Sequence, residues 1–277
     1  MTVTWCVWTA VCLAQAAPND ADSELIQRWR AVCQQQAEMY TIGVKDSGQP
    51  RFQRLKTPIF SHATPARGND IGSVFLWVDE QQRPMVVADI FAWSLNNDPK
   101  RQIVHECHSL APAALDVTIG DRRLWKPGKA GLKWQAVAEA AAPSATKAQR
   151  WRQARDLAQQ FTANSIDMQG GRWELRVLPQ PTYQYEAGSG DTRQTGAMFA
   201  VCQGTDPELW LLFEARRDAD GDRWYFACAT FTDYELQVRH HDKDVWTHPR
   251  YIHGTNDQPH WVEGVFSNVA APELTKP

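Results

Sequence analysis

An excess of charge of either sign is missing from this 277-residue chain, whose 29 basic and 32 acidic residues leave a net charge of −3. Such a balance provides no basic surface of the kind that nucleic-acid-binding proteins carry, so no nucleic-acid partner is expected. The chain also lacks the glycine-rich nucleotide-binding patterns and the G-x-S-x-G serine motif. It therefore offers no support for the dinucleotide-binding, P-loop or α/β-hydrolase classes, and we predict no cofactor.

Cysteine is infrequent, and no C-x-x-C pair occurs among the six residues. Without that pair, a zinc ribbon or a thioredoxin-like site is disfavoured, and no metal site is predicted. Four cysteines follow the first 17 residues, namely Cys33, Cys107, Cys202 and Cys228. An even number permits two disulfides with three possible pairings in an oxidising compartment, while buried free thiols are the alternative. The sequence leaves both open.

Long apolar runs are missing except at the N-terminus, where residues 1–17 carry no charge and include the small-x-small motif Ala14-Gln15-Ala16. This pattern is typical of a cleaved signal peptide and predicts a secreted or periplasmic protein. About 14 apolar residues are too few for the roughly 20 that cross a bilayer, so no membrane span is expected in the mature chain.

A repeat of about 121 residues dominates what the sequence does contain. The segment Arg101–Trp125 returns in altered form as Arg223–Trp246, and the motif Gln-Arg-Trp-Arg stands at residues 27–30 and again at 149–152. Self-similarity at a fixed separation is typical of a duplicated supersecondary unit. We therefore predict a tandem duplication of one module.

Each module is predicted to be a helix followed by about six antiparallel strands. Apolar residues recur at helical spacing after Ser23 and again after Ser144, and short turn motifs separate the apolar runs that follow. The fold class is therefore α+β, mostly antiparallel β, forming a curved or barrel-like pseudo-twofold body. The predicted parts are a signal peptide (1–17), unit 1 (18–135), a linker (136–145), unit 2 (146–266) and a flexible tail (267–277).

Two arrangements of the modules are compatible with these patterns. The sheets can join edge to edge into a strongly curved or closed sheet, or they can pack face to face. We favour a single barrel-like body in which the helices cover an opening or fill the concavity. The 13 tryptophans would fill a core between curved sheets or line a ligand groove.

The strand Ile103–Ser109 carries the candidate site, because the two repeats differ there. Glu106 and His108 share one face of this strand, whereas the matching residues of unit 2 are alanines. A carboxylate and an imidazole two residues apart can transfer protons or bind a metal ion. His105 is a third candidate but points to the opposite face. The structural alternative is a solvated face with a hydrogen-bonded histidine.

Two other polar clusters favour structural interpretations. The C-terminal histidines match no compact metal-ligand spacing; they are His240, His241, His248, His253 and His260. The acidic run Asp218–Asp222 does not place glycine and glutamate where a calcium-binding EF-hand loop needs them, so it indicates a hairpin turn.

Several short stretches resemble an uncharacterised family of predicted secreted proteins from planctomycete bacteria. These stretches are Lys56–Ser61, Gly72–Trp77, His105–Leu110, Leu178–Tyr183 and Gln203–Pro207. The resemblance implies export and one shared fold, and it brings no activity, cofactor or catalytic residue. An aromatic residue often stands at the position of Cys107 in that family, so a family-wide disulfide is not implied.

The leading functional hypothesis is a non-enzymatic binding module for an apolar or amphipathic small ligand, or for a protein partner. The first alternative is a hydrolase, with or without a metal ion, that uses Glu106 and His108. The second alternative is a structural component of a cell-surface assembly.

Overall fold

A computed structural model describes residues 20–47, 51–64, 70–94, 100–188, 194–219, 221–252 and 256–270. The predicted signal peptide lies outside these residues, so export stays a prediction. In the described part of the chain, no helix has the length and apolar character needed to cross a membrane.

The first repeat begins with one helix, and seven strands follow it. Helix α1 spans Asp20–Glu38, and its Trp29, Cys33 and Ala37 form a buried stripe. The strands are β1 (Tyr40–Val44), β2 (Gln53–Arg54), β3 (Phe60–Thr64), β4 (Asp70–Val78), β5 (Pro84–Trp93), β6 (Lys100–Ser109) and β7 (Leu115–Ile119). A short strand, β8 (Gln135–Ala136), follows at the boundary between the predicted unit 1 and the predicted linker.

The second repeat has the same order of elements and one additional strand, which follows the counterpart of β7. Helix α2 (Lys147–Ala158) begins after Thr146, whose side chain accepts a hydrogen bond from the backbone N–H of Gln149. The strands are β9 (Phe161–Ile166), β10 (Arg172–Val177), β11 (Tyr183–Ala187), β12 (Gln194–Gln203), β13 (Asp206–Asp218), β14 (Gly221–Thr230), β15 (Glu235–His240), β16 (Lys243–His248) and β17 (His260–Ala270).

Strand pairing is antiparallel, and the two repeats share most of their strand pairs; the pairs β9–β10 and β15–β16 occur only in the second repeat among the described residues. In the first, β1 pairs with β7, β2 and β3 pair with β4, and β4, β5 and β6 form a meander. In the second, β9 pairs with β15, β10 and β11 pair with β12, and β12, β13 and β14 form the meander. The predicted α+β fold with mostly antiparallel, curved sheets is confirmed.

The last strand of each repeat pairs with the sheet of the other repeat. Strand β8 pairs with β14, and β17 pairs with β6. The two exchanged strands pair at equivalent places. Ala136 of β8 lies opposite Tyr225, and Gly264 of β17 lies opposite Val104. Val104 and Tyr225 are equivalent residues of the two repeats. The repeats therefore exchange their closing strands.

Three apolar cores hold the layers together. Helix α1 packs on one face of the first sheet, which contains β2 to β6 and β17. Helix α2 packs on the corresponding face of the second sheet, which contains β8 to β16. The third core lies between the sheets and contains residues of both, among them Leu76, Val87, Trp210 and Leu212. Of the two arrangements that the sequence left open, the structure shows the face-to-face one.

All four described cysteines are buried free thiols in the structure. Burial raises the pKa of Cys107 and of Cys202 to about 12, which disfavours the reactive thiolate. We expect a reductant to leave the melting temperature unchanged and a thiol reagent to label these four cysteines only after denaturation. A mobility shift on reduction of the unfolded chain would contradict this.

Candidate functional site

Two carboxyl side chains of the first sheet interrupt the core between the sheets. On the inner face of the first sheet, defined here as the face turned toward the second sheet, Asp89 on β5 lies directly opposite Glu106 on β6. Both side chains are buried. The matching pair in the second sheet is Leu212 opposite Ala227. Since the second repeat forms the same strands with apolar residues, the fold does not require this carboxyl pair.

Asp89 and Glu106 lie in a pocket of about 790 Å³ between the sheets. Its described lining carries seven carboxyl groups, those of Asp70, Asp89, Glu106, Asp206, Glu208, Asp233 and Glu263. Four aromatic rings line it as well, those of Phe91, Trp93, Phe231 and Tyr234. Both repeats and the exchanged strand β17 contribute to the pocket, which combines negative charge with apolar walls.

Glu106 pairs with a histidine of the exchanged strand. His260 Nε2 lies 2.7 Å from Glu106 Oε1, and both residues are buried. Burial raises the pKa of Glu106 well above its usual value, and nearby carboxylates raise it further. Those carboxylates belong to Asp233, Asp89, Asp206 and Glu208. Glu106 therefore retains its proton more readily than an exposed glutamate does.

Asp89 pairs with a second histidine, His62 on β3. Its Oδ2 lies 2.7 Å from His62 Nε2, and Gly72 leaves room for the ring, since a Cβ at Gly72 would stand 2.4 Å from that nitrogen. Burial alone would lower the pKa of His62, but the charge and hydrogen bond of Asp89, aided by Asp206 and Asp70, raise it to about 9. His62 is thus the positive group beside the carboxylates.

The second repeat builds a counterpart of this pocket at the corresponding place. It encloses about 310 Å³ and is lined by matching positions, with Tyr185 for His62, Glu214 for Phe91 and Arg216 for Trp93. We call it the arginine pocket, and we call the larger one the acidic pocket. The pair of pockets reflects the pseudo-twofold relation of the repeats.

A guanidinium group balances the charge of the arginine pocket. Arg216 Nε lies 2.5 Å from Glu214 Oε2, and Tyr185 donates a hydrogen bond to the other oxygen of Glu214. The guanidinium also lies over the ring of Trp134, 4.1 Å from its centroid. In the acidic pocket the position of Arg216 is taken by Trp93, and that pocket is more than twice as large.

The three candidates named from the sequence have different environments. Glu106 lines the acidic pocket, whereas the two ring nitrogens of His108 lie 3.1 Å from Thr230 O and 3.3 Å from Gly131 O. Burial lowers the pKa of His108 to about 4, although the carbonyl oxygens of Gly131 and Thr230 oppose this shift. His105 lies on the opposite face, where Nδ1 is 2.8 Å from the hydroxyl of Tyr40 and burial lowers the pKa of the histidine to about 3.

Three residues of the site were not predicted from the sequence. Asp89 stands inside the apolar run Met85–Trp93, and comparison with its counterpart Leu212 would have singled it out as it did Glu106. His62 and Asp206 come from the end of one hairpin in each repeat, and no local pattern marks them.

The C-terminal histidines do not gather into one cluster. His260 belongs to the site through Glu106, and His248 lies edge-on to it with the ring centroids 6.4 Å apart. His240 pairs instead with Gln160 and stacks on Phe161. His253 lies outside the described residues.

Likewise, Asp218–Asp222 connects β13 and β14 as expected of a hairpin turn, although Asp220 lies outside the described residues.

Comparison of the chain with protein-family models, curated proteins and solved structures gives no significant match. The planctomycete resemblance therefore stays a prediction.

Proposed function

We propose that the protein is a non-catalytic binding protein whose acidic pocket holds a small amphipathic cation, an amine with an apolar body. The observation that carries this proposal is the difference between the two pockets. In the arginine pocket, Arg216 pairs with Glu214. The acidic pocket has no such arginine among its described lining residues, and it is open, larger and lined by carboxyl groups.

The charge of the described lining favours a positive ligand. Seven carboxyl groups and one imidazole line the acidic pocket, and no lysine or arginine occurs among the described lining residues. The described lining of the arginine pocket, by contrast, contains two arginines, Arg83 and Arg216, and a single carboxylate, that of Glu214. A recessed cleft of one charge with apolar walls focuses its field and attracts ligands of opposite charge.

The walls favour an apolar part in the same ligand. Phe91 and Trp93 lie on one sheet, while Phe231 and Tyr234 come from the segment after β14. Aromatic rings contact apolar groups and also attract ammonium ions through their faces, by about 0.5–2 kcal/mol. A pocket of about 790 Å³ falls within the roughly 300–1,000 Å³ of small-molecule sites.

Titration of the purified protein with phenethylamine tests the proposal. We expect phenethylammonium to bind at pH 7 in isothermal titration calorimetry, and its neutral and anionic analogues, phenethyl alcohol and 3-phenylpropionate, to bind at least 10-fold more weakly. Trp93→Arg, which introduces the residue of the arginine pocket, should abolish binding, and Glu214→Gln should leave it unchanged. Equal affinities for amine and alcohol would contradict the proposed charge recognition.

A hydrolase that uses Glu106 is the second candidate. One observation favours it: the pKa of Glu106 is raised by burial and by neighbouring carboxylates, and a carboxylic acid kept neutral beside ionised ones can act as a general acid. Turnover of nitrophenyl esters or glycosides that is lost in Glu106→Gln would support this candidate. Amine binding without turnover would favour the binding protein.

A further inference from the structure

We propose that His62, Asp89 and Asp206 form a binding site for one divalent transition-metal ion, with Zn²⁺ the best match. Each residue offers one ligand atom, and these three atoms lie within 4.8 Å of one another. This inference does not depend on the proposed organic ligand, which is recognised mainly by the other carboxylates and the aromatic walls of the same pocket.

Both repeats contribute to the convergence of the three ligands. His62 lies on β3, Asp89 on β5, and Asp206 begins β13. The hydroxyls of Thr64 and Thr205, 3.1 Å apart, connect the end of β3 to the turn before β13 and so bring Asp206 toward His62. The site therefore exists only where the two sheets meet.

The fold does not require this set of residues. The matching positions of the other repeat are Tyr185 for His62, Leu212 for Asp89 and Arg83 for Asp206. None of these three is a usual metal ligand, and yet the same strands form around them. A hydrogen-bonded trio that served the fold would be needed in both repeats.

Buried polar atoms in this cluster lack partners that an ion or an ordered water would supply. His62 and Asp89 are both 3% exposed. Oδ1 of the aspartate has no hydrogen-bond partner among the residues that the structure describes, and it belongs to the carboxylate that faces Nε2 of the histidine. Nδ1 of the histidine has none either, but it lies on the other side of the ring, so only a water could be its partner when the ion is bound at Nε2. Buried groups of this kind are rare in folded proteins, and an absent ion or water is one of the usual reasons.

The ligand chemistry selects the class of metal. One imidazole and two carboxylates suit Zn²⁺ and related ions better than Ca²⁺ or Mg²⁺, which prefer oxygen ligands alone. Three protein ligands leave one position of a tetrahedral ion open toward the pocket. The 2.7 Å between His62 Nε2 and Asp89 Oδ2 must widen to roughly 3.3 Å, the edge of a tetrahedron with Zn²⁺ bond lengths of about 2.0–2.1 Å.

Metal analysis of the chelator-treated, dialysed full-length protein tests this site with Zn²⁺ as the probe. We expect one Zn²⁺ per chain by mass spectrometry, a higher melting temperature on addition of Zn²⁺, and no such effect of Mg²⁺. His62→Gln and Asp89→Asn should each weaken Zn²⁺ binding at least 10-fold. The matched control Tyr185→Phe, at the counterpart of His62, should leave the affinity unchanged.

Two results would overturn the inference. One is a protein that takes up less than one Zn²⁺ per chain at saturating metal while its circular dichroism spectrum is that of a folded β protein. The other is a folded His62→Gln variant with unchanged affinity, which would place any ion elsewhere. A protein that binds phenethylamine but no Zn²⁺ refutes the metal site alone, and the reverse result refutes the amine site alone.

Discussion

Glu106→Gln is expected to stabilise the protein at pH 8 and to weaken phenethylamine binding at least 10-fold. Burial between the sheets raises the pKa of the Glu106 carboxyl group, and four nearby carboxylates raise it further. Glutamine keeps the acceptor for His260 but removes the charge that burial disfavours. We expect a gain of about 1–2 kcal/mol in the free energy of unfolding, which corresponds to roughly 4 °C for a chain of this size.

The pH dependence follows from the direction of the shift. Because folding raises the pKa of Glu106 above its usual value of 4.5, the folded state binds this proton more tightly than the unfolded chain does. Its contribution to stability is complete below about pH 4.5 and is lost as the pH rises through the raised pKa. The advantage of Glu106→Gln should therefore vanish near pH 4 and grow toward pH 8, as melting curves across that range would show.

Glu214→Gln in the arginine pocket is the matched control, and its effect should have the opposite sign. Glu214 is also buried, but Arg216 lies 2.5 Å from it. Removal of one partner of a fully buried ion pair destabilises a protein by about 3–5 kcal/mol. Because the side chain of Arg216 is 24% exposed, we expect a smaller loss of stability for Glu214→Gln. If both glutamine variants shift stability in the same direction, the contrast between the two pockets is wrong.

Trp210→Ala is expected to destabilise the protein by about 3 kcal/mol, near the lower end of values for removal of a buried large aromatic ring. Trp210 is fully buried between the sheets and meets Phe231 edge-on, with the ring centroids 5.6 Å apart. Its indole nitrogen has no hydrogen-bond partner among the described residues, so the substitution also removes a buried polar atom that costs stability.

The exposed Trp173 provides the comparison for Trp210. It is 48% exposed on β10, and Trp173→Ala should change the free energy of unfolding by less than about 1 kcal/mol. Urea denaturation followed by circular dichroism measures both variants. If Trp210→Ala lowered the free energy of unfolding as little as Trp173→Ala does, the core between the sheets would add little to stability.

The meander of each module could be predicted from the sequence because turn motifs separate its apolar runs. The packing of the sheets was harder to infer, since it depends on which faces are covered. Strand β4 is buried at all nine positions, and a strand with both faces covered has a continuous apolar sequence rather than an alternating one. The apolar run at the end of β4 therefore indicates that both faces of its sheet are covered, as they are when two sheets pack face to face.

One residue of the acidic pocket, Glu106, could be predicted from the sequence, and strand register explains why its neighbours could not. Glu106 stands out because an alanine replaces it in the other repeat, whereas Asp89 is recognised as its neighbour only when β5 and β6 are aligned. His260 reaches Glu106 from a strand 154 residues away. A contact that depends on exchange of closing strands leaves no local pattern in the sequence.

The exchange of β8 and β17 has a consequence for how the two pockets came to differ. If two separate copies of one module exchanged their last strands, they would form a symmetric dimer. Every substitution would then occur in both copies. Joining the copies in one polypeptide removes that constraint. A substitution in one repeat then leaves the other repeat unchanged. One pocket can therefore contain an arginine while the other contains several carboxylates.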